Sequence, residues 1–249
     1  MEDLIVARCS KVHRIYVLGG RGTCCSDDPR LPGGRHPLAE GGTSSPQSST
    51  TTIPQRIVVE GDAKVDVVLL AYPGVSCDVK LDVHLVGEGA EANIYGAYVC
   101  GGEEKVKIAV DMHHDVPHCN SRQLFKGIAG GRSRVDFYGK IIVAQDAQRT
   151  EAYQENHNIL LSEEAKVDTK PQLEIYADDV KCSHGATIGR LNEEEQFYMR
   201  SRGISLEDAK VLQMISFIAP VLEHVEDEAR REHTSSELET AIRNVVRNL

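Results

Sequence analysis

Side chains along residues 77–86, CDVKLDVHLV, change character at every step: Cys77, Val79, Leu81, Val83 and Leu85 alternate with Asp78, Lys80, Asp82 and His84. Successive side chains of a strand point to opposite faces, so this is the pattern of a half-buried strand. The same period returns in EKVKIAVDMHH, through Val106, Ile108, Val110 and Met112, and in RVDFYGKIIVA, through Val135, Phe137, Ile141 and Val143. No run of helical period interrupts the strands before Gly189. The joining segments are alike: EGDAKVDV, GEGAEANIYG, AQDAQRTEAY, SEEAKVDTKP and CSHGATIGRL each carry an alanine behind a small or acidic residue, at Ala63, Ala90, Ala147, Ala165 and Ala186. Each such unit reads as one coil of a β-solenoid, and a β-sandwich is the alternative that alternating strands also permit. Hairpin dipeptides such as Asn-Gly are missing between the strands, which favours parallel coils over antiparallel hairpins.

The period changes after Gly189. Asn192 ahead of Glu193, Glu194 and Glu195 predicts an N-cap with acids on the positive end of a short helix, and Gly203 is placed to stop it. Ser205 with Asp208 opens a second helix in capping-box style, which Pro220 should kink or split because proline lacks the amide donor. Ser236 and Glu239 open a third, with Leu238, Ile242, Val245, Val246 and Leu249 as its apolar stripe. The expected organisation is a low-complexity tail or linker over 1–55, a β unit over 56–190 and a helical unit over 191–249 capping the β unit. Within the first segment only LIVARC and RIYVLGG look able to form short strands. The rest is Gly, Pro, Ser and Thr, including Cys24 and Cys25 as incidental thiols, and buries too little to offset its ordering entropy.

Composition narrows the function classes. The chain has 249 residues, long enough for a sizeable core without disulfide staples. Trp is absent and aromatics make up 5 %, so that core must be built from small aliphatic side chains in thin layers. A formal net charge of −10 gives no footing on a phosphate backbone, so nucleic acid is not an expected partner. The longest apolar runs, VVLLAY and MISFIAPVL, fall far short of the roughly 20 residues that span a bilayer. No basic, apolar leader opens the chain, and a soluble, cytoplasmic protein is expected. The 7 cysteines are odd in number, irregularly spaced and free of CxxC, and read as reduced thiols.

Three constellations carry candidate chemistry. MHHDVPHC gathers His113, His114, His118 and Cys119, the densest set of transition-metal ligands, although the adjacent histidines of a strand point to opposite faces. Asp178 and Asp179 raise a carbohydrate-active β-helix hydrolase with paired carboxylates, against the alternative of turn-capping aspartates. Cys182 and His184, one residue apart, share a strand face and could ligate one ion or cluster, act as a thiol nucleophile with its base although no orienting acid can be assigned, or instead sit as buried residues at a strand end.

Residues 134–205, RVDFYGKIIVAQDAQRTEAYQENHNILLSEEAKVDTKPQLEIYADDVKCSHGATIGRLNEEEQFYMRSRGIS, resemble the core of the SufB/SufD family, scaffold subunits of the Suf iron-sulfur cluster assembly system. The likeness extends more loosely from about Arg56, through VGEGAEANIYGAYVCGG, to about Val225. HGATIG at 184–189 is similar to the SufD-like branch, since SufB proteins tend to carry Glu where Gly185 stands. The resemblance implies a right-handed parallel β-helix followed by a helical domain, and a non-enzymatic scaffold rather than a hydrolase or a free-standing solenoid that only mediates protein contacts. It implies pairing with a SufB-like subunit, homodimerisation being left open, and docking of a SufC-like ABC-type ATPase through Phe197, Tyr198, Arg200, Arg202 and Gly203. It also implies that His184, with Cys182 beside it, faces the partner and helps hold a transient iron-sulfur cluster or iron at the subunit interface.

Overall fold

The structure, a computed structural model, describes residues 3–18 and 53–248. The strands run β1 (Leu4–Val6), β2 (Lys11–Leu18), β3 (Arg56–Val59), β4 (Lys64–Ala71), β5 (Cys77–Leu85), β6 (Glu91–Cys100), β7 (Lys105–His114), β8 (Asn120–Ala129), β9 (Arg134–Val143), β10 (Glu151–Leu160), β11 (Lys166–Ile175) and β12 (Lys181–Gly189). Three helices follow: α1 (Glu193–Ser201), α2 (Leu206–Leu222) and α3 (Glu228–Arg247). Strands alternate between two six-stranded sheets, odd numbers in the first (β1-β3-β5-β7-β9-β11) and even numbers in the second (β2-β4-β6-β8-β10-β12). Every pairing among the described residues is parallel. The chain is therefore a parallel β-solenoid and not a sandwich of hairpins. From β3 onward, residues paired on adjacent coils are 26 to 32 apart in sequence, as Arg56 with Asp82, Lys64 with Glu91, Glu91 with Asn120 and Arg134 with Lys166.

That repeat corrects the expected one. Each coil contributes two strands, so the turn alanines mark strands and not whole coils, and Ala186 lies inside β12. On one edge the small residues do stack, linked by main-chain hydrogen bonds: Glu91 N–H donates to Ala63 O, Asn120 N–H to Ala90 O, Glu151 N–H to Cys119 O and Lys181 N–H to Thr150 O. Cys119 thus takes the place of an alanine in the stack.

A second correction concerns the first 55 residues. β1 pairs with β3 and β2 with β4, so Leu4–Val6 and Lys11–Leu18 supply the first coil and the solenoid begins ahead of residue 56. The Gly, Pro and Ser stretch of the expected tail, with Cys24 and Cys25, falls outside the described residues.

The helices do not cap the end of the solenoid. β4 and β6 are buried on both faces, and their outward-facing Val68, Leu70, Tyr95 and Val99 pack with Ile128 against Val211, Met214 and Ile218 of α2 and Leu238, Ile242 and Val245 of α3. Together α2 and α3 cover the outer face of the second sheet over β2, β4, β6 and β8, while the last coil stays open. Asn192 caps α1, accepting from the amides of Glu194 and Glu195, and Ser205 caps α2, accepting from that of Asp208. Pro220 falls in the last turn of α2, which ends at Leu222 without a split. Residues 228–235 are already helical: Asp227 is the N-cap of α3, so Ser236 lies inside the helix it was expected to open.

Candidate functional site

β11 and β12 close the solenoid, and among the described residues each pairs on one side only. The next coil inward tells which of their side chains point into the interior. Cys182 lies in register with Ala152 and His184 with Gln154, and Ala152 and Gln154 are buried at 0 % and 1 % exposure. Both candidate ligands therefore face the inner side of the sheet at the open end. Cys182 is half-buried against the core while His184 is exposed. Burial pushes the Cys182 thiol up, partly offset by a backbone hydrogen bond at Ala152, so a metal would have to displace its proton. Ile175, Tyr176 and Ile188 are exposed at this end.

Sequence reasoning missed the polar groups just behind these ligands. Gln154 donates from Nε2 to Gln123 Oε1 over 3.1 Å, and Asn158 donates from Nδ2 to Asn156 Oδ1 over 2.6 Å. Gln123 Nε2, Gln154 Oε1 and Asn156 Nδ2 are buried without hydrogen-bond partners. Unsatisfied groups of this kind are costly, so they mark this interior as specialised and not as plain core. The signal was present in the sequence, since Gln154, Asn156 and Asn158 hold the alternate positions of β10 that aliphatic residues hold in β7 and β9.

The set His113, His114, His118 and Cys119 is not brought together. His114 points inward, its Nε2 2.8 Å from Ser121 Oγ, and burial lowers its pKa to about 4. His118 sits on a turn at φ 59°, its ring 3.7 Å from Glu88. Cys119 is buried in the small-residue stack, donates to Gly87 O, and its thiol is pushed up to about 11 by burial. His113 lies on the outer face of β7, where it meets Asp82 and His84 of the neighbouring strand. Asp178 and Asp179 lie on the exposed turn between β11 and β12, where the Asp179 amide donates to Gln148 and its carboxylate sits 3.8 Å from Arg149.

The residues expected to meet an ATPase, Phe197, Tyr198, Arg200, Arg202 and Gly203, are all exposed. Phe197 is 73 % and Tyr198 59 % exposed, so neither pins α1 to the solenoid. The Arg202 guanidinium stacks over the Tyr198 ring at 4.8 Å, and Arg200 projects from the same turn. Gly203, at φ +86°, terminates the helix by donating to Arg200 O. Between α1, α2 and the end of β10 runs an open groove of about 770 Å³ lined by Ile159, Leu191, Tyr198, Met199, Leu212 and Phe217.

Comparison with known proteins bears on both regions. The model of the family described as "SUF system FeS cluster assembly, SufBD core domain" matches residues 44–217. "Iron-sulfur cluster assembly protein SufD" of Escherichia coli is 50 % identical over 121 residues, which cover 49 % of this chain and 29 % of that protein. "Protein ABCI7, chloroplastic" of Arabidopsis thaliana is 34 % identical over 177 residues, 69 % of this chain and 37 % of the relative. A SufBD family protein of Synechocystis sp. is 46 % identical over 109 residues, 44 % of this chain and 24 % of the relative. The chain thus spans well under half the length of each of these relatives. Because the match extends from ahead of β3 through the open last coil and into α2, the chain belongs to the SufBD core family, with its similarity on the SufD-like side.

Proposed function

We propose that the chain is a non-catalytic scaffold subunit of an iron-sulfur cluster assembly complex, pairing through its open end with a SufB-like subunit and docking a SufC-like ATPase on the α1–α2 surface. The observation that carries this reading is the last coil, left unlidded with Cys182 and His184 on the inner face of an edge strand. Two edge strands with free main-chain groups and exposed Ile175 and Ile188 suit the addition of a partner's strands. A nascent cluster is cargo at that junction, taken by imidazole and thiolate ligands suited to iron. Phe197, Tyr198 and Arg202 are residue types that dominate interface energetics, and their exposure leaves them free for the ATPase. Co-expression with a SufB-like subunit and a SufC-like ATPase, followed by size exclusion and iron and sulfide analysis, tests the reading. Co-elution of the three chains with iron and sulfide is expected; a chain that elutes apart from both partners overturns it.

A further inference from the structure

We propose that Asp82, His84 and His113 form a binding site for a single divalent first-row transition-metal ion on the outer face of the first sheet, separate from the open end. Asp82 and His84 are two residues apart on β5 and so share its outer face. His113 lies directly beside His84 in the parallel register of β5 and β7. The two rings stack with centroids 4.3 Å apart and planes 7° from parallel, so their in-plane Nε2 lone pairs run side by side and one ring must tilt toward Asp82 for both to reach one ion. His84 Nε2 is 3.0 Å and His113 Nε2 3.2 Å from the same oxygen, Asp82 Oδ1, and the three ligand atoms all lie within 4.8 Å of one another. Ligand atoms each about 2.1 Å from one ion and at right angles about it are themselves about 3.0 Å apart, so the spacing to the carboxylate is that of a coordination shell.

Two further observations favour an ion over a plain ion-pair cluster. Asp82 Oδ1 is shielded from solvent and makes no aligned hydrogen bond, despite both imidazole nitrogens within reach. On the far side of His84, Asp115 Oδ2 lies 3.4 Å from Nδ1. A carboxylate at Nδ1 holds that proton and leaves Nε2 as the ligand atom, the outer-partner arrangement usual for metal-binding histidines. Two imidazoles and a carboxylate with no thiolate select an ion such as Zn²⁺, Fe²⁺ or Co²⁺ and disfavour Cu⁺ or a cluster. Side-chain exposures of 18 % for His84, 26 % for His113 and 39 % for Asp82 leave solvent access, so water would complete the shell.

Titration of the purified full chain with Co²⁺, read by visible absorption and by calorimetry, tests the site. One ion per chain is expected at this site, displaced by Zn²⁺. His113→Ala and the near-isosteric Asp82→Asn should each weaken binding by at least about tenfold, and Asp115→Asn by about tenfold through the outer partner. His184→Ala, at the open end, should leave this ion in place. Melting curves of each variant separate loss of the site from loss of the fold, and Asp82→Asn keeps the test intact if a histidine variant fails to fold. Absence of Co²⁺ binding by the parent, binding unchanged in both His113→Ala and Asp82→Asn, or loss in His184→Ala alone would overturn the proposal.

Discussion

Tyr98 reaches across Gly127 to donate its hydroxyl to Asn158 Oδ1, so one hydrogen bond ties β6 to β10 over the coil between them. The glycine makes the reach possible: a β-carbon on Gly127 would stand 2.0 Å from Tyr98 Cε2 and 2.4 Å from Asn158 Oδ1. One pair of positions along, Gly96 makes room for Phe125 in the same way. Large and glycine positions therefore interlock between neighbouring coils, which is how a chain without Trp fills this interior. Gly127→Ala should overpack the site and cost about 1–3 kcal/mol. Tyr98→Phe should cost about 1–3 kcal/mol by stranding the Asn158 carbonyl. Denaturant titration of both variants checks this, and a Gly127→Ala protein as stable as the parent would contradict the interlock.

His114 supplies a pH test of the interior. Burial lowers its pKa from the ordinary 6.5 to about 4, with a smaller contribution from His113. The unfolded chain binds a proton at this residue between those values and the folded chain does not, so stability rises with pH across the window. The contribution is fully present above about pH 6.5 and is lost as pH falls toward 4, an effect on the order of 3 kcal/mol. His114→Gln should remove that part of the slope. Unfolding free energies of parent and variant at pH 7.5 and pH 4.5 give the comparison, and equal slopes would contradict a buried, neutral imidazole.

The α1 patch separates docking from folding. Phe197 and Tyr198 are mostly exposed, so replacing both with Ala should shift stability by no more than about 0.5 kcal/mol. Capture of a SufC-like ATPase should nevertheless fall, and charge reversal at Arg200 together with Arg202 should lower it further by removing the guanidinium over Tyr198. Pull-down of the ATPase at the parent level by both variants would exclude this surface as the docking site.

Much of the solenoid is legible in the sequence because β5, β7 and β9 alternate cleanly, one face in and one face out. What escapes is what depends on neighbours. LIVARC reads as a short strand, but its three-residue β1 pairs with β3 from Leu4 to Ile57, a register that its own pattern cannot show. The runs in β4 and β6 read simply as apolar, whereas their two-sided burial is the mark of helices lying on the outer face and not at the end. Ser236 and Glu239 imitate a helix start, but Asp227 caps the helix first by accepting from the Arg230 amide. Cys182 and His184 share a face as their spacing predicts, while Asp82, His84 and His113 meet only through coil register, which spacing within one strand cannot reveal.

The most direct measurement is the iron and acid-labile sulfide content of the co-expressed complex carrying His184→Ala, compared with the parent and with Cys182→Ala. On the open last coil His184 is exposed and Cys182 only half-buried at the edge of the core, so the complex should assemble in all three cases. Iron and sulfide should fall severalfold in His184→Ala and less so in Cys182→Ala, whose thiol is held protonated by burial. A His184→Ala complex that accumulates iron and sulfide at the parent level would contradict the assignment of the open end as the place where the cluster is held.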